Sequence, residues 1–547
     1  MSFTHDIIRK LKQNPDQNII TEVLQNGNRS YTRQKFFIDA QRVYKQLKNR
    51  HIKKSDRICL IGPNSYQWIV TDLSIVAMGA ISVPLYHRQD PKELAYIIDE
   101  VEPVLTIFFD EELKNQIQKY TNFQTHFSHI SFFFSDKNET TMTDFPQIND
   151  TLTATMIYTS GTSGNPKGVM LSHKSVKFML IQTKSRLVQA KFGSNKKDII
   201  FHYLPFCFAG SRMMLWTQLH RGNEIHLSMD LQNLAQEIQS INPNYYLNVP
   251  TLLERIKQGV EKKITSQPIP IQRLFNKSKT LWQKYQDDNI TFLEKLYFFL
   301  LRKTVLTSIK HKIGTRLEFL ICGSAPLHPD TQSWFEMIGI PVYQVYGLTE
   351  TTAIVTMDMP ELVRKSYVGV PIEGIQTKVS QDGELLTKGP HIFQGYYKND
   401  EQTQNVIRDG WFHTGDIAQI DSENRIKILG RINNVIIPSS GHNIVPEPLE
   451  EFFTSLDTNI EYACIVGHGQ PKIGIIVSGT LTTTQLDQIV ETYNLNQPHY
   501  KKLGFSILVE QGFFLNHELL TANQKLKRRH IEAYFESQVA QKLKESA

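Results

Sequence analysis

The chain has little of what would mark it as secreted, membrane-embedded or bound to nucleic acid. Its 547 residues include only four cysteines, Cys59, Cys207, Cys322 and Cys464, scattered through apolar surroundings. No metal-ligand spacing links them, so neither a disulfide framework nor a zinc module organises the fold, and reduced, buried thiols in a cytoplasmic protein are expected. The opening residues, Met1-Ser-Phe-Thr-His-Asp6, lack the charged and apolar regions of a signal peptide. Long hydrophobic runs are missing too. The stretch Trp68 to Tyr86 is broken by Asp72, Gly79 and Pro84, and reads as a buried helix followed by a strand. Charge of one sign is scarce: 60 basic and 54 acidic residues leave +6. That is too weak over this length to argue for nucleic acid, but it suits a small anionic ligand or an anionic membrane surface. No internal repeat, long low-complexity segment or Ser/His/Asp triad is visible.

The length calls for two or more domains. Hydrophobic and charged fractions of 40% and 21% are those of a globular protein. The most informative stretch is Tyr158-Thr-Ser-Gly-Thr-Ser-Gly-Asn-Pro-Lys-Gly168. It follows the apolar run Met156-Ile157-Tyr158, which reads as the end of a buried strand, and helical sequence begins after His173. Glycines let backbone N–H groups close around anionic oxygens, and Thr159, Ser160, Thr162, Ser163 and Lys167 add donors. The pattern is not a Walker A loop, because no glycine precedes a Gly-Lys-Ser/Thr at the required spacing. A phosphate-binding loop is the reading that the order of residues favours over a flexible polar surface loop.

Strand and helix signals alternate before this loop. Residues 30–50 read as a helix with Phe36, Phe37, Ala40, Val43, Tyr44 and Leu47 on one face. Ile58–Gly62, Ile81–Tyr86 and Val104–Phe109 read as short buried strands, so a parallel sheet covered on both faces is expected. After the loop, Ile199–Pro205 reads as a strand leading into Phe206-Cys-Phe-Ala-Gly-Ser-Arg212. Residues 265–312 look like a basic insertion. Within it, Leu296–Leu301 is a run of six apolar residues, too short to span a bilayer. A helix packed on its domain and a membrane-surface or acyl-gate helix are both open. Arg316–Leu327 and Pro341–Tyr346 read as two strands joined by a helix through Trp334 and Phe335, a βαβ unit with polar groups at its strand ends. Asp382-Gly383 marks a hairpin turn, and Tyr462–Gly467 and Ile473–Ser478 read as strands of a small C-terminal sheet.

The loop, together with Gly323-Ser-Ala325, Tyr346-Gly-Leu-Thr-Glu350, Gly410-Trp-Phe-His-Thr-Gly-Asp416, Ile428-Leu-Gly-Arg431 and the closing Leu520–Arg529 segment, resembles the adenylate-forming superfamily of acyl-CoA synthetases, luciferases and peptide-synthetase adenylation domains. The segment Ser439–Glu450 and the insertion are most similar to the long-chain fatty acyl-CoA synthetases. The resemblance implies an α/β fold. A large N-terminal domain of layered α/β subdomains with mostly parallel sheets, residues 1–430, would precede a small mobile α+β domain, residues 431–547. It implies that Thr159, Ser160, Gly161, Thr162, Ser163, Gly164 and Lys167 cradle the phosphates of ATP. Gly323, Ser324 and Ala325 would flank the adenine, Tyr346 with Gly347 would stack on it, and Thr349 would contact the α-phosphate. Glu350 and the Thr159 hydroxyl would hold Mg²⁺, whose preference for hard oxygen ligands they meet. Asp416 would accept both ribose hydroxyls, as a carboxylate suits a cis diol. Arg431 would reach the ribose or a phosphate, Gly441 would pass beside the pantetheine thiol of coenzyme A, and Lys525 would be the catalytic lysine, with Lys527 as the alternative register.

By the same resemblance, a carboxylate attacks the α-phosphorus of ATP to give an acyl-adenylate and pyrophosphate. The small domain then turns about a hinge near Asn434, and coenzyme A takes the acyl group. A long-chain fatty acid is the implied substrate. Loading of a separate acyl carrier protein is a second reading, and a non-catalytic nucleotide- or lipid-binding protein is a third. The implied location is the cytoplasm, with peripheral contact at the inner face of a membrane. Some residues depart from the family pattern. Phe208 stands where long-chain members usually carry His at the acyl entrance, and could equally be core. Val345 replaces a glycine and would narrow the acyl pocket. Ala418 and Asn424 replace common glycines, the second mildly, since Asn tolerates a left-handed turn.

Overall fold

Buried apolar strands and capped helices alternate through the first part of the chain, and they assemble as sheets with helices against them. The computed structural model describes residues 2–135, 144–160, 166–191, 197–521 and 525–545. The chain divides into two compact units. The first comprises Met1–Thr377, Thr387–Phe412 and Asp421–Ile426, and the second Lys378–Leu386, His413–Ile420 and Lys427–Ala547.

The first unit holds a seven-stranded sheet. Its parallel part pairs Arg57–Ile61 with both Ile81–Leu85 and Leu105–Phe108; His126–His129 joins beyond, and Thr153–Ser160 adds beside Ile81–Leu85. Two antiparallel strands complete one edge: Pro166–Ser172 returns along Thr153–Ser160, and Gly395–Tyr396 pairs with Pro166–Ser172. The strand Arg57–Ile61 is buried on both faces, as a strand covered by helices must be. The Trp68–Tyr86 stretch forms the helix Tyr66–Ala77 and the strand Ile81–Leu85, both buried. The Ser65 hydroxyl starts that helix by accepting the Trp68 N–H at 3.1 Å. Asp72 lies in its middle with no exposure, paired with Arg212 from the helix Ala209–Arg221.

A four-stranded sheet takes Arg29–Thr32, Asn18–Val23, Glu224–Ser228 and Ile199–His202 in that order. A five-stranded one begins with Leu247–Asn248, Leu320–Cys322 and Val342–Tyr346 in parallel. The helix Pro329–Met337 crosses between the last two, giving the expected βαβ unit. Residues 265–312 are mostly helical, with helices Ile269–Gln286, Phe292–Leu301 and Thr307–Ile313. Among the described residues no helix is long and apolar enough to cross a membrane.

The second unit is built on strands Ile460–Val466, Ile473–Gly479 and Leu503–Glu510, the first pair antiparallel and the second parallel. Helices Glu447–Ser455, Thr483–Leu495 and Arg528–Glu545 accompany them. Its core is centred on Ile465, Ile475, Val477 and Phe453. All four cysteines are free, and burial pushes the thiol of Cys207 up to about 12, outside the range of a reactive thiolate.

Candidate functional site

The candidate residues gather into two clusters, one in each unit. In the first unit, the expected phosphate loop joins two antiparallel strands, and the helix His173–Ala190 follows the second of them. Gly161, Thr162, Ser163 and Gly164, with the Ser160 side chain, lie outside the described residues. The stem on either side is described. Thr159 pairs directly with Lys167, and Ser160 with Pro166, so a hydroxyl and an ammonium-bearing residue stand opposite each other at the loop base.

Glu350 sits in the short helical turn Thr349–Thr351 that follows the strand Val342–Tyr346. The Tyr396 hydroxyl donates to Glu350 Oε1 at 2.8 Å, and the Phe393 N–H donates to the Glu350 carbonyl at 2.9 Å. Tyr396 is placed by pairing with Val169 on the returning strand of the loop hairpin. Lys167 Nζ lies 5.8 Å from the Tyr396 ring centroid. Burial lowers the pKa of Lys167, while the negative charge of Glu350 raises it. Thr159, Lys167, Glu350 and Tyr396 are thereby linked through one hairpin and one turn.

The Gly323-Ser-Ala325 turn ends the strand Leu320–Cys322, beside the strand that ends at Tyr346. Ser324 holds a left-handed φ of 73°, uncommon for a residue with a side chain. Val345 leans on this turn: a Cβ at Gly323 would fall 2.6 Å from Val345 Cγ2, so the valine requires glycine below it. Phe208 is half-buried, precedes the helix Ala209–Arg221, and packs 5.7 Å from the Tyr86 ring.

In the second unit, Arg431 Nε pairs with Asp416 Oδ1 at 2.8 Å, and Arg431 Nη1 donates to the Thr414 carbonyl at 3.1 Å. The Asp416 side chain is only 5% exposed, so the pair fixes its carboxylate rather than decorating a surface. Lys525 joins them. Its segment folds back on itself: Thr521 N–H donates to the Lys525 carbonyl at 2.8 Å, and Lys525 N–H donates to Thr521 Oγ1 at 3.1 Å. The residue as a whole keeps solvent exposure. Its ammonium is crowded by protein, which lowers its pKa; the charge of Arg431 lowers it further and that of Asp416 opposes both. Lys527 instead donates its N–H to the Leu519 carbonyl at 2.9 Å in the same turn-back. Gly441 lies in the loop closed by the Ile436–Ile444 bridge. Its φ of +77° is strained for any side chain, although nothing lies within 4 Å of a Cβ there. Asn434 Nδ2 donates to Glu447 Oε1 at 2.6 Å.

Four supporting groups carry no signal in the sequence strong enough to single them out. Tyr396 could be suspected only from its place beside the loop, which is a pairing and not a sequence signal. Glu384, which reads merely as part of a turn, accepts from the Gly415 N–H at 2.9 Å and contacts His413 Nδ1 at 2.7 Å, so it shapes the segment carrying Asp416. Arg528, three residues beyond Lys525, donates to Glu450 Oε2 at 2.7 Å and to the Ile465 carbonyl at 2.6 Å. Arg212 pairs with Asp72 and donates to Thr155 Oγ1 at 2.6 Å, bracing the strand that leads into the loop.

The α/β fold thus presents two clusters of ionisable groups, Lys167 with the Glu350 carboxylate in the first unit and Lys525 with the Arg431–Asp416 pair in the second. The chain belongs to the AMP-binding enzyme family, whose model matches residues 8–397. A long-chain-fatty-acid–CoA ligase, ACSBG2 of Xenopus laevis, is 25% identical over 457 residues, covering 77% of this chain and 61% of that protein. The long-chain-fatty-acid–CoA ligase FadD15 of Mycobacterium bovis is 22% identical over 532 residues, 89% of this chain and 88% of that one. Among solved structures, O-succinylbenzoate coenzyme A synthetase (MenE) from Bacillus subtilis, in complex with ATP and magnesium ion, superposes with a TM-score of 0.74 over 96% of this chain and 98% of that chain, at 17% identity. The last likeness shows that the two chains share a fold.

Proposed function

We propose that the protein is an AMP-forming acid–thiol ligase that activates a long-chain fatty acid as its acyl-adenylate and passes it to coenzyme A. The observation that carries this reading is the first cluster, in which Lys167 lies in the field of a Glu350 held by Tyr396 at the base of the phosphate-loop hairpin. The long-chain ligases among its relatives support the substrate class.

In this reading the loop residues Thr159 to Gly164 and Lys167 bind the ATP phosphates, while Gly323, Ser324, Ala325, Tyr346 and Gly347 hold the adenine. Thr349 contacts the α-phosphate. The Glu350 carboxylate and Thr159 hydroxyl are hard oxygen donors that fit Mg²⁺, which when bound would neutralise phosphate charge. Asp416 holds the ribose and Arg431 a ribose or phosphate oxygen. The fatty-acid carboxylate attacks the α-phosphorus, pyrophosphate leaves, and Lys525 stabilises the charge that develops on the oxygens between them. The thiol of coenzyme A, guided past Gly441, then attacks the acyl carbon and AMP leaves. Peripheral contact with the inner face of a membrane belongs to the same reading, since a long-chain acid partitions into lipid.

The test is pyrophosphate release with Mg-ATP across acids from acetate to oleate, with and without coenzyme A. Release that peaks at long chains, yields acyl-CoA and disappears in Glu350→Ala is expected. Adenylate formed without transfer to coenzyme A would instead favour loading of a separate acyl carrier protein. No release with any acid would favour a nucleotide- or lipid-binding protein.

A further inference from the structure

We propose that the outward face of the helix Phe292–Leu301 is a docking surface for an anionic lipid bilayer. The helix is uncommonly apolar on the side that faces water. Phe292 is 80% exposed, Leu293 75%, Leu300 53%, Leu296 51%, Phe299 51% and Tyr297 40%. At 100° per residue these six positions fill one continuous arc of about 160°. Phe298 and Leu301 fall outside the arc and are buried at 5% and 4%. Phe298 packs inward on Trp282, with ring centroids 5.7 Å apart. The helix thus satisfies its own domain with two side chains and leaves six apolar ones exposed to water. Tyr285 of the preceding helix, 47% exposed, stands 6.5 Å by ring centroid from Phe298. A contiguous patch of this kind marks an interaction surface.

Charge selects the occupant. Residues 250–312 hold thirteen Lys and Arg against five Asp and Glu, a net of +8, while the whole chain has +6. The rest of the protein is therefore slightly acidic, at −2, and its net positive charge resides entirely in the segment that bears the apolar face. Glu294, the one acid on the helix, is tied to Lys284 at 2.5 Å and closes a capping box with Thr291. Lys295, Arg302 and Lys303 are exposed. Lys303 Nζ stands 4.5 Å from the Phe299 ring centroid, with an apolar body beside a charged tip. Apolar aromatic residues flanked by exposed cations suit the boundary between acyl chains and anionic headgroups. A second copy of the chain would oppose +8 with +8, which the same charges disfavour.

This deepens the proposed handling of fatty acids by naming the surface next to which the acid would be found, yet its test needs neither ATP nor coenzyme A. The full chain is co-sedimented with vesicles of phosphatidylcholine alone and of phosphatidylcholine containing phosphatidylglycerol. Binding to the second kind, at least tenfold stronger than to the first and weakened by salt, is expected. Phe292→Ser with Leu293→Ser should reduce that binding tenfold or more. Lys295→Glu with Lys303→Glu should remove the preference for the anionic vesicles. Both pairs are exposed, so circular dichroism and melting should match the parent protein, as should pyrophosphate release with a water-soluble acid. Absence of binding to either vesicle, or equal binding by the parent and the Phe292/Leu293 variant, overturns the proposal. So does an acidic protein or a self-associated dimer that occupies the face, seen as a sedimentation shift lost in the same variant. Vesicle binding that follows the expected pattern in a protein that activates no acid would leave the docking surface standing and remove the ligase reading. Acid activation without any vesicle binding would do the reverse.

Discussion

The lysines of the two candidate clusters, one in each unit, are held in contrasting ways. Lys167 belongs to a strand hydrogen-bonded on both sides within a seven-stranded sheet. The partner strand is braced through Thr155 by the Arg212–Asp72 pair, neither side chain of which is exposed. Lys525 stands on a short turn-back whose following residues are anchored by one pair, Arg528 with Glu450, exposed by 9% and 11%. Their electrostatics differ as well. Burial lowers both pKa values, but the other charge acting on Lys167 is the carboxylate Glu350, whereas Lys525 feels a second cation, Arg431, besides Asp416. A lysine already balanced by a carboxylate suits a standing part of a binding site. A lysine crowded by another cation gains most when a phosphate arrives. The difference teaches that one lysine is fixed by a sheet and a carboxylate, while the other depends on a turn and a neighbouring ion pair, which matches the standing and transient roles proposed for them.

Removing the arginines tests the mechanical half of this contrast. Each truncation leaves a buried carboxylate unpaired and should cost about 3–5 kcal/mol. Arg212→Ala should lower the unfolding midpoint of the first unit, and Arg528→Ala that of the second, as measured by denaturant titration with domain-resolved hydrogen exchange. If Arg528→Ala left the Lys525 segment as protected as in the parent, the anchoring role would be refuted. The next largest effect is chemical. Lys525→Ala should slow adenylation by about 10²–10³-fold while sparing thioester formation from supplied acyl-adenylate. Loss of only the second half-reaction would show that another lysine serves, with Lys527 the first to examine.

A smaller effect separates the electrostatic environments. Because the pKa of Lys525 is lowered, its ammonium is lost at a lower pH than that of an ordinary lysine. Adenylation should therefore decline as pH rises through that lowered value. Arg431→Gln removes a like charge, so the alkaline limb of the pH–rate profile should move upward even as the overall rate drops. A limb that stays in place would mean that Arg431 does not act on Lys525. The smallest effect should come from Tyr396→Phe, which takes one hydrogen bond from Glu350. About 1.5 kcal/mol, the low end for a hydrogen bond to a charged group, or roughly tenfold in kcat/KM, is expected. An unchanged rate would place Glu350 under the control of its turn alone.

Much of the fold is legible in the amino-acid sequence. The strands Arg57–Ile61, Ile81–Leu85 and Leu105–Phe108 lie within a residue or two of where apolar runs place them, because a strand buried on both faces must be apolar throughout. Asp72 and Pro84 rightly argue for helix and strand over a membrane span, and Asn424 takes the left-handed turn, at φ 59°, that its residue type permits. The helical insertion is legible as well, but not the side on which its apolar residues lie. Periodicity marks an apolar face without saying whether a neighbour covers it, and in Phe292–Leu301 the larger face is left in water.

The sequence by itself determined where the first buried strands and helices fall and which ionisable residues are candidates, since local pattern and residue type act over a few positions. Only the tertiary structure decided that Tyr396 reaches Glu350, that Glu384 shapes the Asp416 segment, that Arg431 pairs with Asp416 beside Lys525, and that Asp72 meets Arg212 across 140 residues. Those partners are joined by strand pairing and helix packing between distant segments, and a buried charge finds its counter-charge only when the chain has closed around both.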